Sequence, residues 1–427
     1  MTVSAEAVWQ LLQDGSPSEG LRGDVIVPLG NGEPVTVLNA IEAAGDRLAS
    51  VRIHQMHALH DRASLHGHFG ERLRHLSYFL SPVTRPAYHA GTIELVPNHF
   101  SDVPALLRRR CPDPLIVCSV SPPDRHGYVS LGTNADYVAS FIGRARFFAE
   151  ANVQMPRTFG RNQLHLSQLA GWCEADYPLV EIPPVEPDDI DRRIGELVAE
   201  RVPDGATIQT GIGAIPNAFL AALHGHRDLG VHTELLSDGI IDLVEAGVVN
   251  GVRKRNNRTK VIGTFALGTR RLYDFVSDNP ALELWPVNYV NNPTFIGAEP
   301  NFVSVNATLA VDLLGQCASE TLDGKYWSSS GGQADFARGA AASPGGAGFV
   351  VTRSLARHAD VSTICATLPP GTVVTTDKNT VDCVVTEHGV AELRGRSISE
   401  RAQSLIAVAH PAHRDRLAAE AKTLGMV

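Results

Sequence analysis

The chain has 427 residues, of which 44% are hydrophobic and 19% are charged, and its formal net charge is −9. One hydrophobic core rarely serves a chain of this length, so we expect two α/β domains of similar size. The acidic balance, with no basic run longer than residues 253–255, argues against nucleic acid as the main partner. No stretch reaches the roughly 20 apolar residues that a membrane-spanning helix needs, and the first residues lack a targeting pattern. We therefore expect a cytoplasmic protein without a membrane partner.

The cysteine and histidine residues do not follow the spacing of a familiar metal site. The six cysteines show no C-x-x-C spacing, which favours reduced, buried thiols over a disulfide framework or a structural zinc site. His54, His57 and His60 lie at three-residue steps and would share one face of a helix, so a metal site there is an alternative. No acidic residue stands at the spacing of a metal-hydrolase helix. We therefore expect no metal.

Two segments of the chain follow the same pattern of predicted elements. Residues 23–41 and 204–223 each run from a turn through an apolar strand and a glycine-rich loop to an apolar helix. In each segment a proline, Pro34 or Pro216, suits the first turn of the helix, where its missing N–H is not needed. Two such strand–loop–helix units indicate two related halves.

The segment 178–193 between these units is rich in proline and acidic residues and lacks periodicity, which is typical of a surface connection. We place the domain boundary near residue 190, which gives domains of residues 1–190 and 191–427. After the boundary, apolar strands alternate with amphipathic helices. This alternation predicts a mainly parallel or mixed sheet covered by helices.

The loop TGIGAIPN, residues 210–217, resembles a dinucleotide-binding loop. Gly211 and Gly213 follow a predicted strand, and Glu234 lies about 20 residues further on, where an acid could bind a ribose. Pro216 occupies the position of the third glycine, which normally allows close packing of helix and strand, so the pattern is broken. The N–H groups of a glycine loop at a helix N-terminus still suit an anion or an oxyanion.

Glu234 lies in GVHTELLSDGIIDL, at the predicted end of an apolar strand and before a helix that begins near Asp238 or Gly239. Active-site groups are common at such a place in open α/β sheets, although a lone acid there would be an ordinary loop carboxylate. A carboxylate is a poor nucleophile, so its attack on a thioester requires a prearranged oxyanion site. Gly331 and Gly332, in a second glycine-rich loop, are candidates for the N–H donors of that site.

Several longer segments follow one another in a characteristic order: SPPDRHGYVSLGTN (121–134), MPRTFG (155–160), TGIGAIPNA (210–218), HTELLSDGIIDL (232–243), YVNNP (289–293), SVNATLAVDLLGQ (304–316), GGQADFARGA (331–340), VVTEHGVAELRGRS (384–397) and AHPAHRDRL (409–417). Together they resemble the acetyl-CoA hydrolase/transferase family, which includes 4-hydroxybutyrate, butyrate and succinate CoA-transferases. The resemblance extends over nearly the whole chain. One departure is the segment 337–350, which is unusually rich in alanine and glycine.

The resemblance implies two related open α/β CoA-transferase domains with the active site in the cleft between them. It assigns the role of catalytic nucleophile to Glu234, and it implies that Asn291 contacts the acyl or carboxylate group. The N–H of Gly332 matches the oxyanion donor, and Glu387 matches a second active-site acid. The residues expected to bind substrate or CoA are Gly211, Ile212, Gly213, Gly331 and Gln333.

The resemblance also implies a ping-pong reaction, in which CoA passes from an acyl-CoA to a carboxylic acid through a glutamyl-CoA thioester. Coenzyme A is then a substrate, no prosthetic group is expected, and the family suggests a homodimer. Two alternatives stay open. One is an acetyl-CoA hydrolase that uses the same glutamate, and the other is a non-catalytic CoA-binding protein with the same fold.

Overall fold

The computed structural model describes residues 2–12, 20–356 and 360–427. Contacts between residues divide the chain into two compact units. Unit 1 comprises Met1–Ile182 and Gly263–Tyr289, and unit 2 comprises Pro183–Ile262 and Val290–Val427. The two units therefore alternate along the chain. The segment Gly263–Tyr289, which a single boundary near residue 190 would assign to the second domain, is grouped with the first unit by its contacts.

The main sheet of unit 1 is parallel throughout. Its strands are Leu21–Val27 (β1), Leu48–Met56 (β2), Leu73–Phe79 (β3), Glu94–Leu95 (β4), Leu115–Val120 (β5), Arg146–Asn152 (β6) and Leu169–Ala175 (β7). Their order across the sheet is β7-β6-β5-β1-β2-β3-β4, and each neighbouring pair is parallel. The inner strand β5 has the sequence LIVCSV and is buried along its whole length, as expected for a parallel strand covered on both faces.

Helices cover this sheet and close its core. Their bounds are Val8–Leu12 (α1), Val35–Ala43 (α2), Thr84–His89 (α3), Val103–Arg110 (α4) and, from the later segment of unit 1, Arg270–Val276. Fully buried side chains of α1 and α2, such as Val8 and Ile41, pack with Val25 and Val117 of the sheet. The predicted strand–loop–helix unit of residues 23–41 is confirmed, since β1 leads through a short 3₁₀ turn into α2.

The main sheet of unit 2 is mixed. Its strands are Thr207–Thr210 (β8), Gly230–Val231 (β9), Phe302–Ala307 (β10), Ala347–Val351 (β11), Cys383–Thr386 (β12) and Gly389–Glu392 (β13). Their order is β9-β8-β10-β11-β12-β13. Neighbours are parallel except for the antiparallel pair of β12 and β13. The predicted mainly parallel or mixed sheet is therefore confirmed.

The helices of unit 2 are Asp189–Ala199 (α5), Ala214–Ala222 (α6), Gly239–Glu245 (α7), Pro293–Gly297 (α8), Gln333–Ala342 (α9), Ile398–Val408 (α10) and Pro411–Thr423 (α11). A short helix, Val287–Val290, begins in the last residues of unit 1 and ends at the first residue of the second segment of unit 2. A second core joins Val350 and Val384 of the sheet to Leu405 and Leu417 of the last two helices. The strand–loop–helix unit predicted for residues 204–223 is confirmed by β8 and α6. The fold is therefore α/β.

Short strands complete the structure. Tyr128–Ser130 pairs with Gln163–His165, Phe159–Gly160 with Leu282–Leu284, and Thr321–Leu322 with Lys325–Tyr326. The remaining short strands are Leu235–Leu236, Val261–Gly263, Phe265–Ala266, Ala310–Asp312, Cys317–Ala318 and Ile364–Cys365. Among the helices of the described residues, none combines the length and the apolar character needed to cross a membrane.

Candidate active site

Glu234 lies three residues beyond the end of β9, as predicted, and before helix α7, whose first residue is Gly239. Backbone and side-chain contacts of Thr233 fix this segment. Its N–H donates to the carbonyl of Ile262 over 3.0 Å, and its hydroxyl donates to the carbonyl of Thr210 over 2.9 Å. The nucleophile candidate is therefore held at the carboxyl ends of two adjacent parallel strands.

Two hydrogen-bond donors of unit 2 converge on the Glu234 carboxylate. Asn291 Nδ2 donates to Glu234 Oε2 over 2.6 Å, and the backbone N–H of Gly332 donates to the same carboxylate. Asn291 is fully buried, and its Oδ1 has no hydrogen-bond partner among the described residues. The structure thus brings together three of the residues singled out in the sequence: the acid, the amide and the glycine.

Gly332 approaches Glu234 so closely that only glycine fits there. A Cβ atom built on Gly332 would lie 2.0 Å from Glu234 Oε2 and 2.3 Å from Asn291 Nδ2, far inside van der Waals contact. Gly331, which precedes it, has a φ of +53°, in the left-handed region that favours glycine. Gly332 is also the N-cap of α9, so the positive end of that helix lies at the carboxylate. The two glycines therefore allow the backbone to come within hydrogen-bonding distance of the Glu234 carboxylate.

His232 joins the segment of Glu234 to the segment of Asn291. Its Nε2 donates to the carbonyl of Val290 over 2.7 Å, and its ring lies edge-on to Phe302 with centroids 6.1 Å apart. Burial lowers the pKa of His232 to about 3, so the ring is neutral and acts as an N–H donor. No sequence pattern predicted a role for this histidine, although it stands two residues before the acid.

Asp335 is a buried acid for which no sequence pattern predicted a role. It lies in the first turn of α9, is 0% exposed, and accepts a hydrogen bond of 2.8 Å from Arg338. Its charge raises the pKa of Glu234. Its position could have been inferred from the spacing in the sequence. If a helix begins at Gln333, Asp335 lies in its first turn, close to the helix N-terminus.

The Glu234 carboxyl group has a pKa of about 7, well above its ordinary value of 4.5. Burial is the main cause. The hydrogen bonds from Asn291 and Gly332 lower this pKa, while the negative charge of Asp335 raises it. The residue as a whole keeps partial exposure, but its carboxyl group is enclosed by protein atoms, and that enclosure accounts for the direction of the shift. The nucleophilic carboxylate form should therefore increase as the pH passes through neutrality.

We predict that Glu234→Gln stabilises the protein at alkaline pH. The folded-state pKa of Glu234 is raised, so its contribution to stability is fully present below the unfolded pKa and is lost as the pH rises through about 7. An uncharged glutamine avoids this loss, which for such a shift is on the order of 3 kcal/mol. We expect calorimetry at about pH 8.5 to show a melting temperature a few degrees higher for the variant, with a much smaller difference at about pH 5. Equal melting temperatures at both pH values would contradict the prediction.

Glu387, the predicted second acid, follows strand β12 and makes a different set of contacts. Ser354 donates to it through both its hydroxyl, over 2.5 Å, and its backbone N–H, over 3.0 Å. His388 Nε2 lies 3.6 Å from Glu387 Oε1. These groups differ from those that contact Glu234. A catalytic role for Glu387 stays a prediction.

The predicted substrate-binding residues fall into two loops. Gly211, Ile212 and Gly213 connect β8 to α6, where Ile212 is 46% exposed and Gly213 has a φ of +119°. Gly331 immediately precedes the oxyanion-donor candidate. Gln333 is buried, and its Nε2 donates to the Thr376 hydroxyl over 3.2 Å. The described contacts of Gln333 are thus structural, and binding of CoA by these loops stays a prediction.

The three histidines considered as metal ligands do not share a helical face, so that alternative is wrong. His54 lies in strand β2, and His57 lies beyond its end with a φ of +45°. Within the described residues, the ligand atoms of Asp24, His54 and Cys111 do lie within 4.8 Å of one another. Both oxygens of Asp24 already accept hydrogen bonds from Arg52, at 2.6 and 2.8 Å. A cation at this cluster would therefore compete with the arginine for the Asp24 carboxylate.

Comparison with known proteins agrees with the architecture and with the ordered motifs. Residues 23–181 match the acetyl-CoA hydrolase/transferase N-terminal domain, and residues 268–421 match the C-terminal domain of the same family. Asn291, Gly332 and Glu387 fall in the second match, whereas Glu234 lies between the two.

Three relatives illustrate the similarity. The succinyl-CoA:cyclohexane-1-carboxylate CoA transferase of Geobacter metallireducens is 43% identical over 94% of this chain and 92% of its own. The 4-hydroxybutyrate coenzyme A transferase of Clostridium kluyveri is 41% identical over 92% of each. A solved structure of 4-hydroxybutyrate CoA-transferase from Porphyromonas gingivalis is 35% identical, with a TM-score of 0.81 over 99% of this chain and 97% of that one. The chain therefore belongs to the acetyl-CoA hydrolase/transferase family, whose members are CoA-transferase and hydrolase enzymes.

Proposed function

We propose that the protein moves CoA from acetyl-CoA, or another short acyl-CoA, to a short-chain carboxylic acid, with Glu234 as the nucleophile. The observation that carries the proposal is the Glu234 carboxylate held by the Asn291 amide and the Gly332 N–H at the ends of parallel strands. An acid in such a setting has both donors and a restricted orientation, which nucleophilic attack by a carboxylate requires.

The proposed reaction has four balanced steps. The Glu234 carboxylate attacks the thioester carbonyl, the carbon–sulfur bond breaks, and an acyl-glutamyl anhydride and a CoA thiolate form. The thiolate attacks the glutamyl carbonyl, which releases the first carboxylic acid as its carboxylate and leaves glutamyl-CoA. The acceptor carboxylate attacks glutamyl-CoA to give a new anhydride and the thiolate, and the thiolate then takes the acceptor acyl group and frees Glu234. No oxidant, reductant or metal ion takes part in these steps.

The donors around Glu234 have two tasks in this scheme. In the resting site they orient the carboxylate, and in the tetrahedral intermediates at the glutamyl carbon they stabilise the negative oxygen. A positioned donor of this kind typically contributes about 3 kcal/mol to transition-state stabilisation. An anhydride lies above a thioester in free energy, so binding energy from the distant nucleotide of CoA must also act on the reacting centre.

Asn291→Ala is expected to change the pH dependence of the reaction as well as its rate. The hydrogen bond from Asn291 lowers the pKa of Glu234, so its loss should move the rising limb of kcat/KM from about pH 7 to higher pH. Loss of one donor should also reduce kcat by roughly 100-fold or more. Asn379→Ala, at an exposed turn, serves as the control. A midpoint that stays fixed or falls in Asn291→Ala would contradict the assigned contact.

The acceptor acid is best identified with a substrate panel, because the names of the relatives refer to different acids. Acetyl-CoA should be incubated alone and with propionate, butyrate, 4-hydroxybutyrate, succinate or isotopically labelled acetate, because transfer to unlabelled acetate would only regenerate acetyl-CoA. We expect a new acyl-CoA and little free CoA in the presence of the preferred acid. Free CoA released at a rate indifferent to added acid would instead establish a hydrolase. Binding of CoA without turnover would establish a non-catalytic protein.

We also propose a cofactor requirement, a location and an oligomeric state for the enzyme. CoA acts as a substrate and no prosthetic group is required for the steps above. By its family resemblance, we propose that the protein works as a cytoplasmic homodimer. One chain has a mass of 45.8 kDa, and light scattering after size-exclusion chromatography should give twice that mass. A monomer would refute the proposed assembly without affecting the proposed reaction.

A further inference from the structure

A surface pocket of about 440 Å³ lies in unit 1, and the charged side chains that line it are all arginines. Its volume falls within the range of pockets that hold small molecules, roughly 300–1,000 Å³. None of its lining residues is acidic. We call it the arginine pocket and define it by Arg108, Arg144, Arg161, Ser140, Gln163 and Asn288.

The three arginines come from separate elements. Arg108 is in the last turn of α4, Arg144 follows a 3₁₀ turn, and Arg161 follows the short strand Phe159–Gly160. Their side chains are exposed, and none forms an ion pair with another described residue. By contrast, Arg146 and Arg157 of the same unit pair with Asp113 and Asp124. The pocket therefore concentrates uncompensated positive charge in a chain whose net charge is −9.

Arg161 is held in a fixed orientation. Its backbone N–H donates to the carbonyl of Leu284 over 3.0 Å, and its guanidinium carbon lies 4.5 Å from the centre of the Trp285 ring. Trp285 is itself oriented, because its Nε1 donates to Glu283 over 2.8 Å. A Cβ atom at Gly160 would lie 2.1 Å from the carbonyl oxygen of Leu284. The strand Phe159–Gly160 can therefore approach Leu284 this closely only because residue 160 is glycine. An oriented guanidinium loses little freedom on binding an anion.

We propose that the arginine pocket binds an anion that carries two adjacent phosphate groups. Guanidinium groups match the geometry of phosphate oxygens and are more weakly hydrated than ammonium groups, so they suit phosphate recognition. The three positive charges around the arginine pocket repel each other, and a bound anion would offset this repulsion. The lining also holds Ser140, whose hydroxyl donates to Asn288 Oδ1 over 2.6 Å, and Gln163, whose Nε2 donates to the carbonyl of Thr158 over 3.2 Å. A single phosphate would occupy only part of such a volume.

Two sources could supply this chemistry. One is the diphosphate bridge of a CoA substrate, and this version rests on the function proposed above. The other is a free diphosphate, such as a nucleoside diphosphate, that binds independently of the reaction. Both require the same arginines, so the binding test is common to them and a kinetic test separates them.

The binding test uses inorganic pyrophosphate and the full chain in isothermal titration calorimetry. We expect one pyrophosphate to bind per chain, with affinity that falls as salt is added. Arg108→Met should weaken binding at least about tenfold. The matched control is Arg109→Met, which removes the same charge from an exposed neighbour on α4 that does not line the pocket, and it should change affinity less than about twofold. Absence of binding, or equal affinity of the two variants, would overturn the proposal.

The kinetic test separates the two sources. If the bridge of CoA occupies the pocket, Arg108→Met should lower kcat/KM for acetyl-CoA about tenfold, and pyrophosphate should compete with acetyl-CoA. If a free diphosphate binds there, arginine-dependent pyrophosphate binding should remain while that kcat/KM is unchanged. Either result supports the arginine pocket. A protein that binds pyrophosphate through Arg108 but transfers no CoA would refute the proposed function and leave this inference standing.

Discussion

Replacing Glu234 with glutamine is expected to lower the rate of CoA transfer by roughly four orders of magnitude or more. The amide keeps the size of the side chain and an oxygen that can accept from Asn291, whose Nδ2 lies 2.6 Å from Glu234 Oε2 in the natural protein. It cannot attack a thioester to form an anhydride, so both the transfer and any hydrolysis through the same intermediate should be lost. The measurement is the initial rate of acyl-CoA formation at saturating acetyl-CoA and acceptor acid.

The control for this experiment is Glu186→Gln, which makes the same chemical change at an exposed position. It should keep the natural rate. The melting temperatures of both variants show whether either loses its fold, and Glu234→Gln should not fall below the natural protein, for the reason given by its raised pKa. Turnover in Glu234→Gln within about tenfold of the natural protein would refute the assigned nucleophile.

Gly332→Ala should also lower the rate of CoA transfer strongly, although it removes no functional group. Its methyl group would overlap Glu234 Oε2, at 2.0 Å, and Asn291 Nδ2, at 2.3 Å. Either the carboxylate turns away from its donors or the backbone N–H of residue 332 withdraws, and in both cases the oxyanion site is disassembled. We expect kcat to fall by at least about 100-fold, as for the loss of an oxyanion donor.

Gly225→Ala tests whether the effect of Gly332→Ala is specific. Gly225 lies in the same unit, and a Cβ atom built there meets nothing within 4 Å. This variant should keep both its melting temperature and its rate. A Gly332→Ala enzyme with the natural kcat would show that the close approach of residue 332 to the acid is not needed for the reaction.

Local patterns were sufficient to predict much of the fold. The two strand–loop–helix units and the helix at Gly239 were predicted from apolar runs, glycine-rich loops and proline positions, all of which act within a few residues. The same is true of the place of Glu234 beyond a parallel strand. Its pairing with Asn291 and Gly332 came from the family resemblance, because these residues are 57 positions or more away in the chain.

Other features depend on contacts that no local pattern carries. His232 orients the segment of Asn291 by donating to Val290, which requires two distant loops to be packed together. Asp335 raises the pKa of Glu234 through space, and this effect depends on the tertiary structure that buries both carboxyl groups in the same unit. The grouping of Gly263–Tyr289 with the first unit likewise arises from tertiary contacts.

The covalent state of Glu234 during turnover tests the central proposal most directly. The protein is incubated with acetyl-CoA in the absence of acceptor acid, treated with borohydride, digested and analysed by mass spectrometry. We predict that the peptide containing Glu234 carries a carboxyl group reduced to an alcohol, and that the modification disappears when acceptor acid is added before borohydride or when Glu234→Gln is used. Rapid CoA transfer by a protein whose Glu234 peptide remains unmodified would contradict the account.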